Sequence, residues 1–348
     1  MPFLFNFSTG VEGRGEKRGI EELESTIVWK KAKEVTITDN QIERISALES
    51  VELFYLEDKD FSEKNNKSST DGILDSIEEG DEDSEDEEED SVVPLSRTED
   101  EEQKLIAPEA SSKVVERRRH TLNFINSETV VTNLKINKYK GDLSAALEDK
   151  TDLVAGVYEG GLKIWECSDD LVKYLFNEYD TKLEGQKVLE LGCGAGLPGV
   201  LAFTMGATVH FNDYNPEVLE EITIPNLLLN LHIPDKHQSR TRFFSGDWGS
   251  LASDVLSTEI TNEEDKYDLI LTSETIYNVA NHSKLISIFK NFLKPAGCVL
   301  IAAKTYYFGV GGGVQEFQSK LEAQGFLVTC LKKYEDGVKR EIISAKFS

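Results

Sequence analysis

The run Lys187-Val-Leu-Glu-Leu-Gly-Cys-Gly-Ala-Gly-Leu-Pro-Gly199 constrains this chain more than any other stretch. A short apolar strand leads through an acidic residue into a glycine-rich turn that opens a helix. α/β proteins use that order to bring bare backbone against a cofactor. Gly192, Gly194 and Gly196 carry no Cβ, so they reach dihedrals that other residues avoid and let a ligand touch the main chain. Two readings fit. Gly194-Ala-Gly196-Leu-Pro-Gly199 matches G-x-G-x-x-G, which points to a dinucleotide. Glu190-Leu-Gly192-Cys-Gly194-Ala-Gly196 matches E-x-G-x-G-x-G, which points to S-adenosylmethionine. Pro198 is tolerated in the first helical turn, where the N–H it lacks would have no partner.

The elements around this turn alternate. Apolar spacing predicts a helix over Ser168–Glu178, a strand over Lys187–Leu191 and a helix over Leu197–Met205, closed by Gly206. Thr208–Asn212, Thr241–Ser245, Tyr267–Thr272 and Cys298–Ala303 read as further strands. Glu217–Leu231 reads as a helix that Pro225 should kink or shorten, and His282–Phe292 as another. Such alternation builds a doubly wound, mostly parallel sheet. The end differs. Phe326–Tyr334 and Lys339–Phe347 are strand-like runs separated only by Glu335-Asp-Gly-Val338, too short for a crossover helix, so they form an antiparallel hairpin. A Rossmann-like sheet of seven strands closed by such a hairpin favours S-adenosylmethionine. A nicotinamide domain would add another parallel strand there.

Charge divides the chain. Residues 1–110 hold 12 lysines and arginines against 32 acidic residues, a formal charge of -20. The remainder carries -6. Glu78–Asp90 is acidic at eleven of thirteen positions, a density that repels itself and leaves no core. The expected organisation is an N-terminal extension over 1–60 with short ordered segments, an acidic disordered linker over 61–110, and a catalytic domain over 111–348. Phe3–Phe7, Thr26–Lys30 and Val51–Tyr55 are the candidate ordered segments. Acidity argues against direct nucleic-acid binding, and Arg117-Arg-Arg119 reads as a solvated surface cluster. Cys167, Cys193, Cys298 and Cys330 have no metal-site spacing, so no metal is expected; isolated thiols suit a reducing compartment. No leader and no membrane span are expected. A cytoplasmic and nuclear monomer is the expectation.

Asp213 ends the second strand about 20 residues beyond the glycine turn, where a carboxylate accepts both ribose hydroxyls of either cofactor or caps the next helix. Asp247 and Trp248, with Gly246, follow the third strand; they suit the exocyclic amine and the face of an adenine, or an ordinary turn. Glu274 and Tyr277 follow the fourth strand. On a first helical turn, three residues apart, they share one face and suit an incoming nitrogen nucleophile; the plainer reading is a capping carboxylate. Trp165 precedes a helix and suits a lid over a sulfonium, or a place in the core. Gly311-Gly-Gly313 reads as a substrate-side loop or hinge.

These strings resemble a known family. Gly161-Leu-Lys-Ile-Trp-Glu-Cys167, Asp213-Tyr-Asn215, Gly246-Asp-Trp248 and Asp268-Leu-Ile-Leu-Thr-Ser-Glu-Thr-Ile-Tyr277 are similar to the seven-strand protein methyltransferases that include the lysine methyltransferases of chaperones. The histidine protein methyltransferase branch is the best match, over residues 155–348 and again at Phe3–Phe7. The resemblance implies S-adenosylmethionine as cofactor, with S-adenosylhomocysteine as product. It also implies a histidine of a large-subunit ribosomal protein as acceptor. It puts Ile164, Trp165, Glu166, Cys167, Ser168, Gly192, Gly194, Asp213, Tyr214, Asn215, Gly246, Asp247, Trp248 and Ser273 around the cofactor. Glu190 and Cys193 of the glycine motif are expected there too. In this reading neutral imidazole attacks the methyl group, Glu274 accepts from the other ring N–H, and Tyr277 shapes the pocket. Three alternatives stand beside it: a lysine methyltransferase, a non-catalytic protein on the same fold, and a nicotinamide oxidoreductase.

Overall fold

The computed structural model describes residues 30–38, 41, 52–57, 119–136, 143, 153–154, 156–179, 183–231 and 240–348. The expected segment Phe3–Phe7 and the acidic stretch 61–110 lie outside the described residues.

Five strands run parallel: β4 (Lys187–Leu191), β5 (Thr208–Asp213), β6 (Thr241–Ser245), β7 (Tyr267–Ser273) and β8 (Leu293–Lys304). They precede β9 (Phe326–Tyr334) and β10 (Arg340–Phe347), the C-terminal hairpin, whose β10 lies antiparallel against β8. The parallel strands are buried apolar runs, as parallel strands covered on both faces must be; β7 reads Tyr-Asp-Leu-Ile-Leu-Thr-Ser. An eighth strand was not expected. β1 (Lys33–Val35) pairs antiparallel with β6 and completes the order β1-β6-β5-β4-β7-β8-β10-β9. Three residues of Lys-Glu-Val carry no strand signal of their own; their place depends on the open edge of β6. A separate antiparallel pair joins β2 (Glu52–Glu57) to β3 (Arg119–Phe124).

The helices lie between the strands. They are α1 (Ser127–Ile136), α2 (Glu166–Tyr179), α3 (Leu197–Thr204), α4 (residues 216–229), α5 (residues 248–259), α6 (His282–Phe292) and α7 (Val314–Ala323). Two apolar cores result. Leu171, Leu175, Val200, Phe211 and Leu219 belong to one; Leu189, Phe244, Ile270, Phe289 and Phe317 belong to the other.

Helix α4 does continue past Pro225, by widening. Its middle, Leu219–Thr223, is a π turn in which the Ile224 N–H bonds the Leu219 carbonyl. A wider turn moves the carbonyls away from the proline ring, which in regular α geometry would strike the carbonyl four residues back.

Candidate functional site

After β4 the chain turns outward to β5 and β6, then returns across the sheet to β7 and β8. The reversal opens a crevice at the carboxyl ends of the strands, where open α/β sheets bind ligands. A cleft lies there, enclosing about 740 Å³ when the open space at its mouth is included.

The glycine turn forms its floor. Gly192, Gly194 and Gly196 all have positive φ, at 61°, 52° and 72°. A Cβ on Gly192 would stand 2.6 Å from Thr275 Cγ2, and one on Gly194 would stand 3.0 Å from the Gly161 carbonyl oxygen. Side chains are excluded because the 160–161 backbone and the β7 loop close directly over the turn. Cys193 also lines the cleft. Glu190 does not: buried at the end of β4, it accepts the Gly199 N–H at 2.8 Å and ties the turn to α3. Burial raises its pKa to about 8, with the Gly199 hydrogen bond opposing.

Asp213 stands at the end of β5, its Oδ2 accepting the Gly194 N–H at 2.9 Å and its Oδ1 the Asn215 N–H at 3.1 Å. Burial pushes its pKa to about 6, against the pull of those two N–H groups. The carboxylate lines the cleft with Tyr214. Asn215 is fully buried behind it and organises the 156–161 loop by donating to the Val157 carbonyl and accepting the Glu159 N–H.

At the end of β6, Gly246, Asp247 and Trp248 reach the cleft. Asp247 is more occupied than its sequence suggests. Its Oδ1 accepts the Gly249 N–H at 2.9 Å, capping α5, and its Oδ2 is 2.6 Å from Lys284 Nζ. Trp248 Nε1 donates to Asn212 Oδ1 at 2.9 Å, fixing the indole at the wall.

The N-terminal segment closes this side. The Lys30 carbonyl accepts the Asp247 N–H at 3.0 Å. Its N–H faces the Tyr214 hydroxyl at 3.4 Å, and its ammonium donates to the Val157 carbonyl at 3.3 Å. A Cβ on Gly246, where φ is 113°, would sit 2.7 Å from the Lys31 carbonyl oxygen. The strap and the end of β6 therefore touch backbone to backbone.

Residues 160–168, which lead into α2, form a further part of the wall. Ile164, Trp165 and Ser168 line the cleft. Trp165 is half-buried, its Nε1 donating to the Gly160 carbonyl, and ammonium groups already face its ring: Lys163 at 4.5 Å and Lys304 at 5.3 Å. Glu166 turns toward Arg340 of β10, 3.8 Å away, and Cys167 is fully buried behind the cleft. Neither of the two lines it.

Glu274 and Tyr277 do line the cleft, though not from a helix. Glu274 has φ 56°, the one non-glycine positive φ among the described residues, a conformation that costs about 1–3 kcal/mol and persists where its surroundings enforce it. The chain then turns, and α6 begins only at His282. His282 Nε2 donates to the Ile276 carbonyl at 2.9 Å. Gly312 N–H bonds the Tyr277 carbonyl at 3.1 Å, and a Cβ there would lie 2.2 Å from the Ile276 oxygen. Gly311–Gly313 thus braces the turn. Tyr277 donates its hydroxyl proton to Glu159 Oε2. Burial, then Glu159, keep the phenol far above its usual pKa. Glu274 pairs with Lys304 Nζ at 3.2 Å, with side chains only 4% and 5% exposed. Cys167 and Tyr307 also meet the Glu274 carboxylate, and the Asn281 Oδ1 receives no hydrogen bond among the described residues; Glu274 and Asn281 both line the cleft.

Sequence reasoning missed Glu159, Gly161, Lys163, Thr275 and Asn281, which line the cleft, and Lys304, which supports it. Only their neighbourhood within the Gly161–Cys167 and Ser273–Tyr277 strings pointed to any of them. The arrangement fits an adenosyl cofactor: a close-approach glycine floor, a carboxylate, Asp213, at the ribose position, and an indole at the wall.

Comparison with known proteins agrees. A family model described as lysine methyltransferase matches residues 147–313, just under half of the chain. A histidine protein methyltransferase 1 homolog of Dictyostelium discoideum is 44% identical over 57% of this chain and 61% of its own length. The homolog of Mus musculus is 42% identical over 64% and 67%, and histidine protein methyltransferase 1 of Saccharomyces cerevisiae is 30% identical over 61% and 71%. The matched part thus spans roughly three fifths to seven tenths of these relatives.

Proposed function

Because the chain belongs to the histidine protein methyltransferase family, we propose that it moves the methyl group of S-adenosylmethionine to a ring nitrogen of a protein histidine. By the sequence resemblance, that histidine belongs to a large-subunit ribosomal protein. The cofactor supplies an electrophilic methyl on a sulfonium. The protein's task is to hold and orient the acceptor.

One observation carries the reading: a buried carboxylate, Glu274, is held in left-handed backbone on the lining of the cofactor cleft, paired with Lys304. Histidine needs little activation, since at pH 7 most of it is neutral. The site must instead choose one ring nitrogen and hold it about 3–3.5 Å from the methyl, in line with the breaking bond. A carboxylate that accepts from the other ring N–H does this, because the hydrogen bond fixes the tautomer. Tyr277, locked to Glu159, gives the pocket a rigid wall. Lysine would bring an ammonium of pKa near 10.4 that some group must first deprotonate.

The test is direct. The protein is incubated with labelled S-adenosylmethionine and acceptor-deficient ribosomes, and the modified residue is identified by mass spectrometry. Label on a histidine of a large-subunit protein is expected. Label on lysine would overturn the acceptor, and no label with intact S-adenosylhomocysteine binding would overturn the ribosomal substrate.

A further inference from the structure

We propose that Lys304 is a positioning residue for Glu274, compensating its charge so that the acceptor enters as a neutral hydrogen-bond-donating ring and not as a cation. This rests on the histidine reading above.

The pair is built into the sheet. The Glu274 N–H bonds the Ala302 carbonyl at 3.0 Å, extending the β7–β8 ladder one residue beyond β7. Lys304 ends β8, opposite Arg340 of β10. Both backbones are therefore fixed side by side, which brings Lys304 Nζ within 3.2 Å of Glu274 Oε1.

A lone buried carboxylate attracts a cation. In this cleft it would select imidazolium or ammonium, the protonated forms, which have no lone pair to attack a methyl group. An ammonium at 3.2 Å removes most of that attraction. An arriving cation gains little, while a neutral ring N–H still finds acceptor capacity on the carboxylate, which has about four lone-pair sites. Lys163, above the same Trp165 ring, adds a further positive charge at the wall.

Other titratable groups face the pair. Cys167 from α2 and Tyr307 from the loop after β8 hydrogen-bond the carboxylate; burial first, and then the charge and hydrogen bond of Glu274, hold both far above their usual pKa values. Both are thus neutral at working pH. The Glu159–Tyr277 pair lines the same cleft, with the Tyr277 ring edge-on to Tyr307. A merely structural ion pair would affect stability and leave the titration of the bound acceptor unchanged.

The experiment reads that titration. Turnover is followed between about pH 5.5 and 8.5, on either side of the imidazole pKa, with acceptor-deficient ribosomes as probe. S-adenosylhomocysteine affinity is measured by calorimetry on each variant. Lys304→Met is expected to move the acidic limb of the turnover profile up by about one pH unit or more, because an uncompensated carboxylate stabilises imidazolium. Lys304→Arg keeps the charge and should leave the limb in place. Glu274→Gln exposes the acceptor to the Lys304 charge alone and should move the limb the other way, an outcome that does not depend on Lys304→Met folding. Unmoved limbs in folded, cofactor-binding variants would overturn the proposal while leaving the histidine reading intact. A methyl group on lysine in the wild-type reaction would instead overturn the reading on which it rests.

Discussion

Gln41 Nε2 donates to the Glu220 carbonyl oxygen at 3.0 Å. In the π turn of α4, residue 225 would be the next donor, to that same carbonyl, and residue 225 is a proline. A side chain 179 positions earlier in the chain supplies the missing hydrogen bond. Gln41 is itself buried, and its Oε1 accepts the Thr38 N–H at 2.8 Å, so it also fastens the strap that carries β1.

Gln41→Leu keeps much of the volume and leaves the Glu220 carbonyl without its donor. A loss of about 1–3 kcal/mol is expected, the penalty for a buried unsatisfied group. Urea denaturation at constant m-value would show it as a lower midpoint. An unchanged midpoint would mean that water replaces the amide.

Asp213→Ala should weaken S-adenosylhomocysteine binding by about tenfold or more, since hydrogen bonds to a charged acceptor contribute about 1.5–3 kcal/mol. The wild-type affinity should also depend on pH. Burial holds the free carboxyl near pKa 6, and ribose hydroxyls bind best to its ionised form. Affinity is therefore full above about pH 7 and falls as pH drops through 6. Calorimetry at several pH values checks this, and Asp213→Asn should flatten the profile.

Glu274→Gln preserves shape and removes charge. It should lower turnover by about tenfold or more while cofactor affinity stays nearly intact, as expected for a group that acts on the acceptor. Full activity would leave Glu274 with a structural role alone.

Gly246→Ala places a methyl group 2.7 Å from the Lys31 carbonyl at a φ of 113°. The strap must shift, and the Lys30–Asp247 hydrogen bond with it. A loss of about 1–3 kcal/mol in stability and weaker cofactor binding should appear together. Thermal melts with and without S-adenosylhomocysteine would separate the two effects.

The sheet was largely legible. Thr241–Ser245 and the helix His282–Phe292 have the bounds expected of them, because their apolar spacing is local. Asp213, Trp165 and Glu274 could be placed in the cleft from motif position alone. What escaped was tertiary. β1 is too short and polar to announce itself, and exists because β6 leaves an open edge. The Lys284–Asp247, Glu159–Tyr277 and Lys304–Glu274 pairs join residues 30 to 118 positions apart, and no periodicity carries such distances. Glu166, Cys167, Glu190 and Asn215 sit within the right strings but point away from the cleft, because adjacent residues on a helix or at a strand end face different sides. The helical turn expected at Glu274–Tyr277 is replaced by a bend, since Glu274 adopts left-handed geometry.

The β2–β3 pairing has a consequence for how this chain tolerates change. Glu57 lies opposite Arg119, so the 61 residues between them leave and return at neighbouring points of one ladder. The free energy of closing such a connection grows only with the logarithm of its length; doubling it costs about 0.6 kcal/mol. If the acidic stretch is the flexible linker that its composition predicts, insertions and deletions within it are thermodynamically almost silent to the rest of the chain. A single-residue slip in the six paired positions on either side would instead turn the alternating faces of β2 and β3 over.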